Sequence, residues 1–210
     1  FRSVSHAANV LFEGAMNGTT ADVLVHGVDI TSSSLGTVNG RIVTLTATGN
    51  VTLAGNVTGG GLFTSTGVNF KNTGSVTAAG ILIDHTGTVL ADGALNGSGL
   101  DVTIDGSTIT TTSNGTIDGA AITLTSGGLV SIDGKINGSG LFESTGSTFL
   151  NENSGSITAA GVTVNHTGDV TFDAAIDGTT GDVLVKGHNI GSDTDGTIHG
   201  GLITLTATGN

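Results

Sequence analysis

Residues 21–50 read ADVLVHGVDITSSSLGTVNGRIVTLTATGN, and residues 181–210 read GDVLVKGHNIGSDTDGTIHGGLITLTATGN. The pattern returns between them at 100–127, LDVTIDGSTITTTSNGTIDGAAITLTSG. Such self-similarity decides the architecture before any single residue does, because a repeat buries its apolar face only against its neighbours. It also argues against an enzyme. A catalytic site needs unlike residues converging at one place, whereas a repeat presents the same residues at intervals.

Equivalent positions fix a long period. Asp22, Asp101 and Asp182 fall at intervals of 79 and 81, and His6, His85 and His166 keep the same spacing. GLFTSTG at 61–67 matches GLFESTG at 140–146, and GSVTAAG at 74–80 matches GSITAAG at 155–161. The second unit gains its two extra residues near Asn151-Glu152-Asn153, a change expected in a loop. Each long unit divides into turns of about 20 residues, such as GRIVTLTATGNVTLAGNVTG at 40–59 and GILIDHTGTVLADGALNGSG at 80–99.

Within a turn, apolar residues alternate with polar ones. The first run holds Val43 and Leu45, Ile81 and Ile83, or Val102 and Ile104; the second holds Val51 and Leu53, or Val89 and Ala91; the third has a single position such as Val57, Leu95 or Ile117. Period two places one face inward and one outward. No segment sustains a 3.6-residue period. Three short strands per turn of about 20 residues describe an all-β, parallel β-helix of about ten turns, stacked roughly 4.8 Å apart. An antiparallel sandwich also gives short strands at close intervals, but it does not explain one turn copied about ten times. The expected organisation is a single solenoid segment over 1–210, with long units at about 1–39 (partial), 40–119, 120–200 and 201–210 (partial).

Composition agrees. The chain carries 37 Gly and 36 Thr, with no Pro, Cys, Trp or Tyr. Val, Ile and Thr suit pleated, half-buried surfaces, Gly and Asn supply turns, and the absence of Pro leaves every strand residue its N–H. Net charge is −12 with only five Lys and Arg, which argues against binding nucleic acid or docking on an anionic membrane. No apolar run approaches the roughly 20 residues of a membrane span. No signal peptide is recognisable; the chain opens in mid-pattern at Phe1 and stops at Gly209-Asn210, where the equivalent Gly49-Asn50 continues into Val51-Thr52-Leu53. The expectation is an excerpt of a longer array.

The turn pattern, as in ITLTSGGLVSIDGKINGSG at 122–140 and VTVNHTGDVTFDAAIDG at 162–178, resembles the filamentous haemagglutinin type of passenger. These are large bacterial adhesins exported by two-partner secretion or related routes. The likeness is one of repeat style and covers essentially the whole chain; the family's amino-terminal secretion domain is not recognisable. It implies a right-handed β-helical rod at the cell surface, acting in adhesion, aggregation or filament formation.

Residues able to carry chemistry recur too far apart to cooperate. His6, His85 and His166 are separated by four turns, about 19 Å, so they cannot share an ion; the expected role is a histidine near a turn, bonded to backbone. Asp22, Asp101 and Asp182, and likewise Glu13, Asp92 and Asp173, are too distant for a glycosidase pair. Neighbouring turns could still bring Asp84 near Asp101 or Asp105. Asp193-Thr194-Asp195-Gly196 opens like a calcium loop but lacks its distant Glu, and reads as turn chemistry. Seven Asn-x-Ser/Thr sequons, at Asn17, Asn50, Asn56, Asn96, Asn114, Asn137 and Asn165, also read as turn residues. The phenylalanines fall in register, Phe63 with Phe142, Phe70 with Phe149 and Phe12 with Phe172, as a stacked core would require. No catalytic, cofactor or metal site is expected.

The functional expectation is a structural or adhesive shaft, or a filament-forming segment, of a secreted bacterial surface protein, extracellular or on the cell surface. Its expected partners are itself, by end-to-end stacking or continuation of the same chain, and cell-surface or matrix components. A carbohydrate-binding or polysaccharide-cleaving β-helix is the alternative; a glycosylated coat or sheath layer is a third reading.

Overall fold

A computed structural model describes residues 2–209; Phe1 and Asn210, where the pattern is read to open and stop, lie outside the described residues. Among the described residues, thirty-one short strands form three sheets of eleven, ten and ten strands. The chain visits the three sheets in strict rotation, so that every third strand is hydrogen-bonded to the last. One winding, for example, takes Val102–Gly106 in the first sheet, Thr108–Thr111 in the second and Thr116–Gly119 in the third. Ile122–Ser126 then lies parallel on Val102–Gly106, with Ile122 against Val102 and Leu124 against Ile104. Every pairing is parallel, which excludes the sandwich. The fold is a β-solenoid of about ten windings.

The alternation read from the sequence becomes continuous columns. Val43, Phe63, Ile81 and Val102 are successive neighbours in the first sheet, and all are buried to within 1%. Two residues on, Leu45, Ser65, Ile83 and Ile104 make a second column. Volume is balanced across the two: where the first column holds Phe63 or Phe142, the second holds Ser65 or Ser144, so the layer is neither overfilled nor empty. The second sheet adds Val51, Phe70, Val89 and Ile109, and the third adds Val57, Val76, Leu95 and Ile117. Outward positions are rich in Thr, whose branched side chain packs well on a pleated surface.

A row of glycines fits one corner of the rod. Gly36, Gly74, Gly93, Gly115, Gly134, Gly155 and Gly196 each stand immediately before the third-sheet strand and Gly55 one residue further ahead, with Ala174 in the same place in one winding. A Cβ on any of these eight glycines would meet a carbonyl oxygen of the preceding winding well inside contact distance. The corner is therefore closed by backbone lying directly on backbone. The two added residues fall at this corner, between Asn151 and Ser156.

Candidate functional site

Each candidate is built into the repeat. Asp101 and Asp182 lie at the start of a winding and reach forward: Ala121 N donates to Asp101 Oδ1 at 3.1 Å, and Leu202 N to Asp182 Oδ1 at 3.1 Å. Each caps an amide at the corner of the next winding. Asp22 instead receives Arg41 Nη2 at 2.8 Å. Asp101→Ala is expected to cost about 1 kcal/mol, one lost hydrogen bond, with Asp101→Asn costing less because it keeps the acceptor. Chemical denaturation of the two variants checks the order.

Asp92 sits at the corner between the second and third sheets. Hydrogen bonds from Thr112 (2.5 Å) and Asn114 (3.4 Å) hold its carboxyl below the usual range, with Lys71 adding a small attraction. Asp193 Oδ1 accepts Asp195 N at 2.9 Å and Gly196 N at 3.2 Å, so the DTDG carboxylate closes its own turn. No cluster of three metal-ligating side chains occurs among the described residues. Six of the seven sequon asparagines are engaged in side-chain bonds. Asn17 Oδ1 accepts Asn39 Nδ2 at 2.7 Å, and Asn50 Oδ1 accepts Asn69 Nδ2 at 2.8 Å.

Of the acid pairs considered, the fold brings one together. Asp84 and Asp105 are register neighbours on the outer face of the first sheet. Asp101 precedes that sheet's strand and takes no place beside them. At the ends of third-sheet strands a shallow groove of about 400 Å³ is lined by Asn96, Asp118, Asn137, Ser139 and Thr158. Asn137 Nδ2 donates to Asp118 Oδ1 at 2.6 Å. Asp118 is the one carboxylate lining this groove, and the Asp84–Asp105 pair belongs to another sheet. Two acids flanking one sugar bond, as hydrolysis requires, do not meet in this groove. Phe12, Phe63, Phe70, Phe142, Phe149 and Phe172 are all buried, in agreement with the stacked-core reading.

The histidines depart from expectation. His85 and His166 are only 2% and 3% exposed and bond to a serine rather than to backbone. His85 Nε2 lies 3.0 Å from Ser65 Oγ, and His166 Nε2 lies 3.0 Å from Ser144 Oγ. The rings enter the core because the residue below each in the column is glycine: a Cβ on Gly67 or Gly146 would touch the imidazole at 3.0 Å. Phe70 and Phe149 pack against them, with ring centroids 5.5 and 5.4 Å away. Burial pushes both pKa values from 6.5 down to about 4, opposed at His85 by the Asp84 carboxylate. His6, in the first described winding, is exposed.

Ser beside His is the pairing of a nucleophile and its base. Here Ser65 and Ser144 are 0% exposed, and the second ring nitrogen, Nδ1, of each histidine has no hydrogen-bond partner. A substrate carbonyl cannot reach the hydroxyl, and no carboxylate orients the imidazole. The pairs are layers of the core, completed by Asn72 and Asn151, whose amides donate to Ala94 O (3.0 Å) and Ala175 O (3.3 Å). Compared with protein-family models, with characterised proteins and with solved structures, the chain matches none of them.

Proposed function

We propose that this chain is a structural, adhesive or filament-forming shaft of a secreted bacterial surface protein. The observation that carries this reading is the unbroken passage of three parallel sheets through every described winding. Ladder hydrogen bonds along three sheets and a continuous apolar interior make a stiff spacer, and stiffness is what a shaft contributes. The polar residues singled out from the sequence serve corners and layers of that spacer.

Electron microscopy of the native protein tests the proposal. Rods fixed to cells or polymers of uniform width are expected; compact particles free of both would overturn it. The second reading, carbohydrate binding, is favoured by the Asn96–Asp118–Asn137 groove, whose amides and carboxylate suit sugar hydroxyls. Incubation with a panel of acidic polysaccharides separates the two readings. Turnover, or saturable binding lost in Asn137→Ala, would replace the shaft with a carbohydrate-directed role.

A further inference from the structure

We infer that the two Ser–His layers make the rod acid-sensitive at two defined places, residues 62–91 and 141–172, while windings 102–138 between them stay closed. The inference begins with donors and acceptors. A neutral imidazole carries one N–H, and a serine hydroxyl both gives and receives, so the Ser65–His85 and Ser144–His166 contacts are satisfied while the ring is neutral. Protonation places N–H on both nitrogens. Nδ1 of His85 and of His166 is buried with no partner, so the cation would hold an unsatisfied donor inside the core.

No charged group on the inner side offsets that charge. Around His85 the packed strands present Ser65, Gly67, Phe70, Val89 and Gly106, with Asn72, whose Oδ1 is itself without a partner, in the same layer. The titratable residues Lys71, Asp84 and Asp105 occupy outward positions, and the attraction of Asp84 is smaller than the cost of burial. Around His166 the inner side chains are Ser144, Phe149, Val170 and Asn151, whose Oδ1 is without a partner, between Gly146 and Gly187. Here Glu143 and Lys186 alternate outward, Asp169 is exposed, and Asp177 is paired with His199 at 2.9 Å. A phenyl ring is a weak counterpart to a cation. Relief comes when the wall opens and water reaches Nδ1. The strand bearing each histidine ends there, at His85 or His166, beside a corner. Because each winding contacts its neighbours alone, such opening can stay local.

The direction in pH follows from the lowered pKa. Above about pH 6.5 the open and closed states both carry neutral imidazole. Between about 6.5 and 4 only the open state binds the proton, so each unit of acidification favours opening about tenfold per histidine. Below about 4 the effect saturates.

Hydrogen exchange on the whole chain, at pH 7 and pH 4 and corrected for intrinsic rates, tests this. Amides of 63–85 and 142–166 are expected to lose on the order of a hundredfold in protection relative to 102–126. Uniform loss along the rod, or no loss, would overturn the inference. In the double variant His85→Gln, His166→Gln the local difference should vanish, and its persistence would also overturn it. Should that variant fail to fold, the imidazole carbon shifts of the unaltered chain decide. Midpoints near pH 4 support buried neutral rings, and midpoints near 6.5 contradict them.

Discussion

Phe149→Ala is expected to lower the unfolding free energy by about 3–5 kcal/mol. Phe149 is 0% exposed and touches two further rings, His166 at 5.4 Å and Phe172 at 6.2 Å. Truncation removes its buried area and leaves a cavity between two windings whose backbones are pinned by ladder bonds, so the cavity cannot collapse. Ser144, in the same winding, is too short to fill it. Phe12, at 8% exposure in the first described winding, should cost less when truncated. Guanidinium denaturation of the two variants measures the difference. A loss below about 1 kcal/mol for Phe149→Ala would mean that the layer is not close-packed.

Gly93→Val is expected to cost about 3 kcal/mol or more, by overpacking rather than by a cavity. The new Cβ would run into the Gly74 carbonyl of the winding below, with Thr73 backbone atoms at 2.8 and 2.9 Å. Backbone cannot move aside as a side chain does, so the corner must open or the strand slip. Gly127→Ala is the contrast. Nothing lies within 4 Å of that Cβ, and a change within about 0.5 kcal/mol is expected. Thermal unfolding of both variants checks the pair; equal effects would mean that the corner is not held by contact of backbone on backbone.

These two positions show what the sequence discloses. The phenylalanine columns were legible because Phe63 and Phe142, like Phe70 and Phe149, recur at the long period inside alternating runs, and alternation states which face is inward. The three-sheet parallel winding followed from the same alternation with the 20-residue copy. The glycine corner was not legible as such. A glycine before a strand reads as an ordinary turn residue, and only coordinates show a carbonyl occupying the space its side chain would take.

The buried histidines were misplaced for a different reason, although a signal was present. His85 continues the alternation Ile81, Ile83, and His166 continues Val162, Val164, so period two already put both rings inside. Histidine is a polar residue common at turns, and that chemistry points the other way from the pattern. Room for the rings depends on Gly67 and Gly146, which stand one winding away and are adjacent only after folding. Asp84 beside Asp105 was anticipated because stacking at a near-constant winding length brings such positions together. The forward reach of Asp101 and Asp182 to a backbone amide was not, since it depends on the angle of the corner.

Stacking along one axis is the claim beneath all of this, and paired spin labels measure it directly. Thr44, Thr123 and Thr204 occupy one outward column of the first sheet, four windings apart in each step. Dipolar distances should be about 19 Å for Thr44→Cys with Thr123→Cys and about 38 Å for Thr44→Cys with Thr204→Cys. A second distance near twice the first is the expected result. Two distances of similar size, or a longer pair closer together than the shorter, would contradict a straight parallel solenoid.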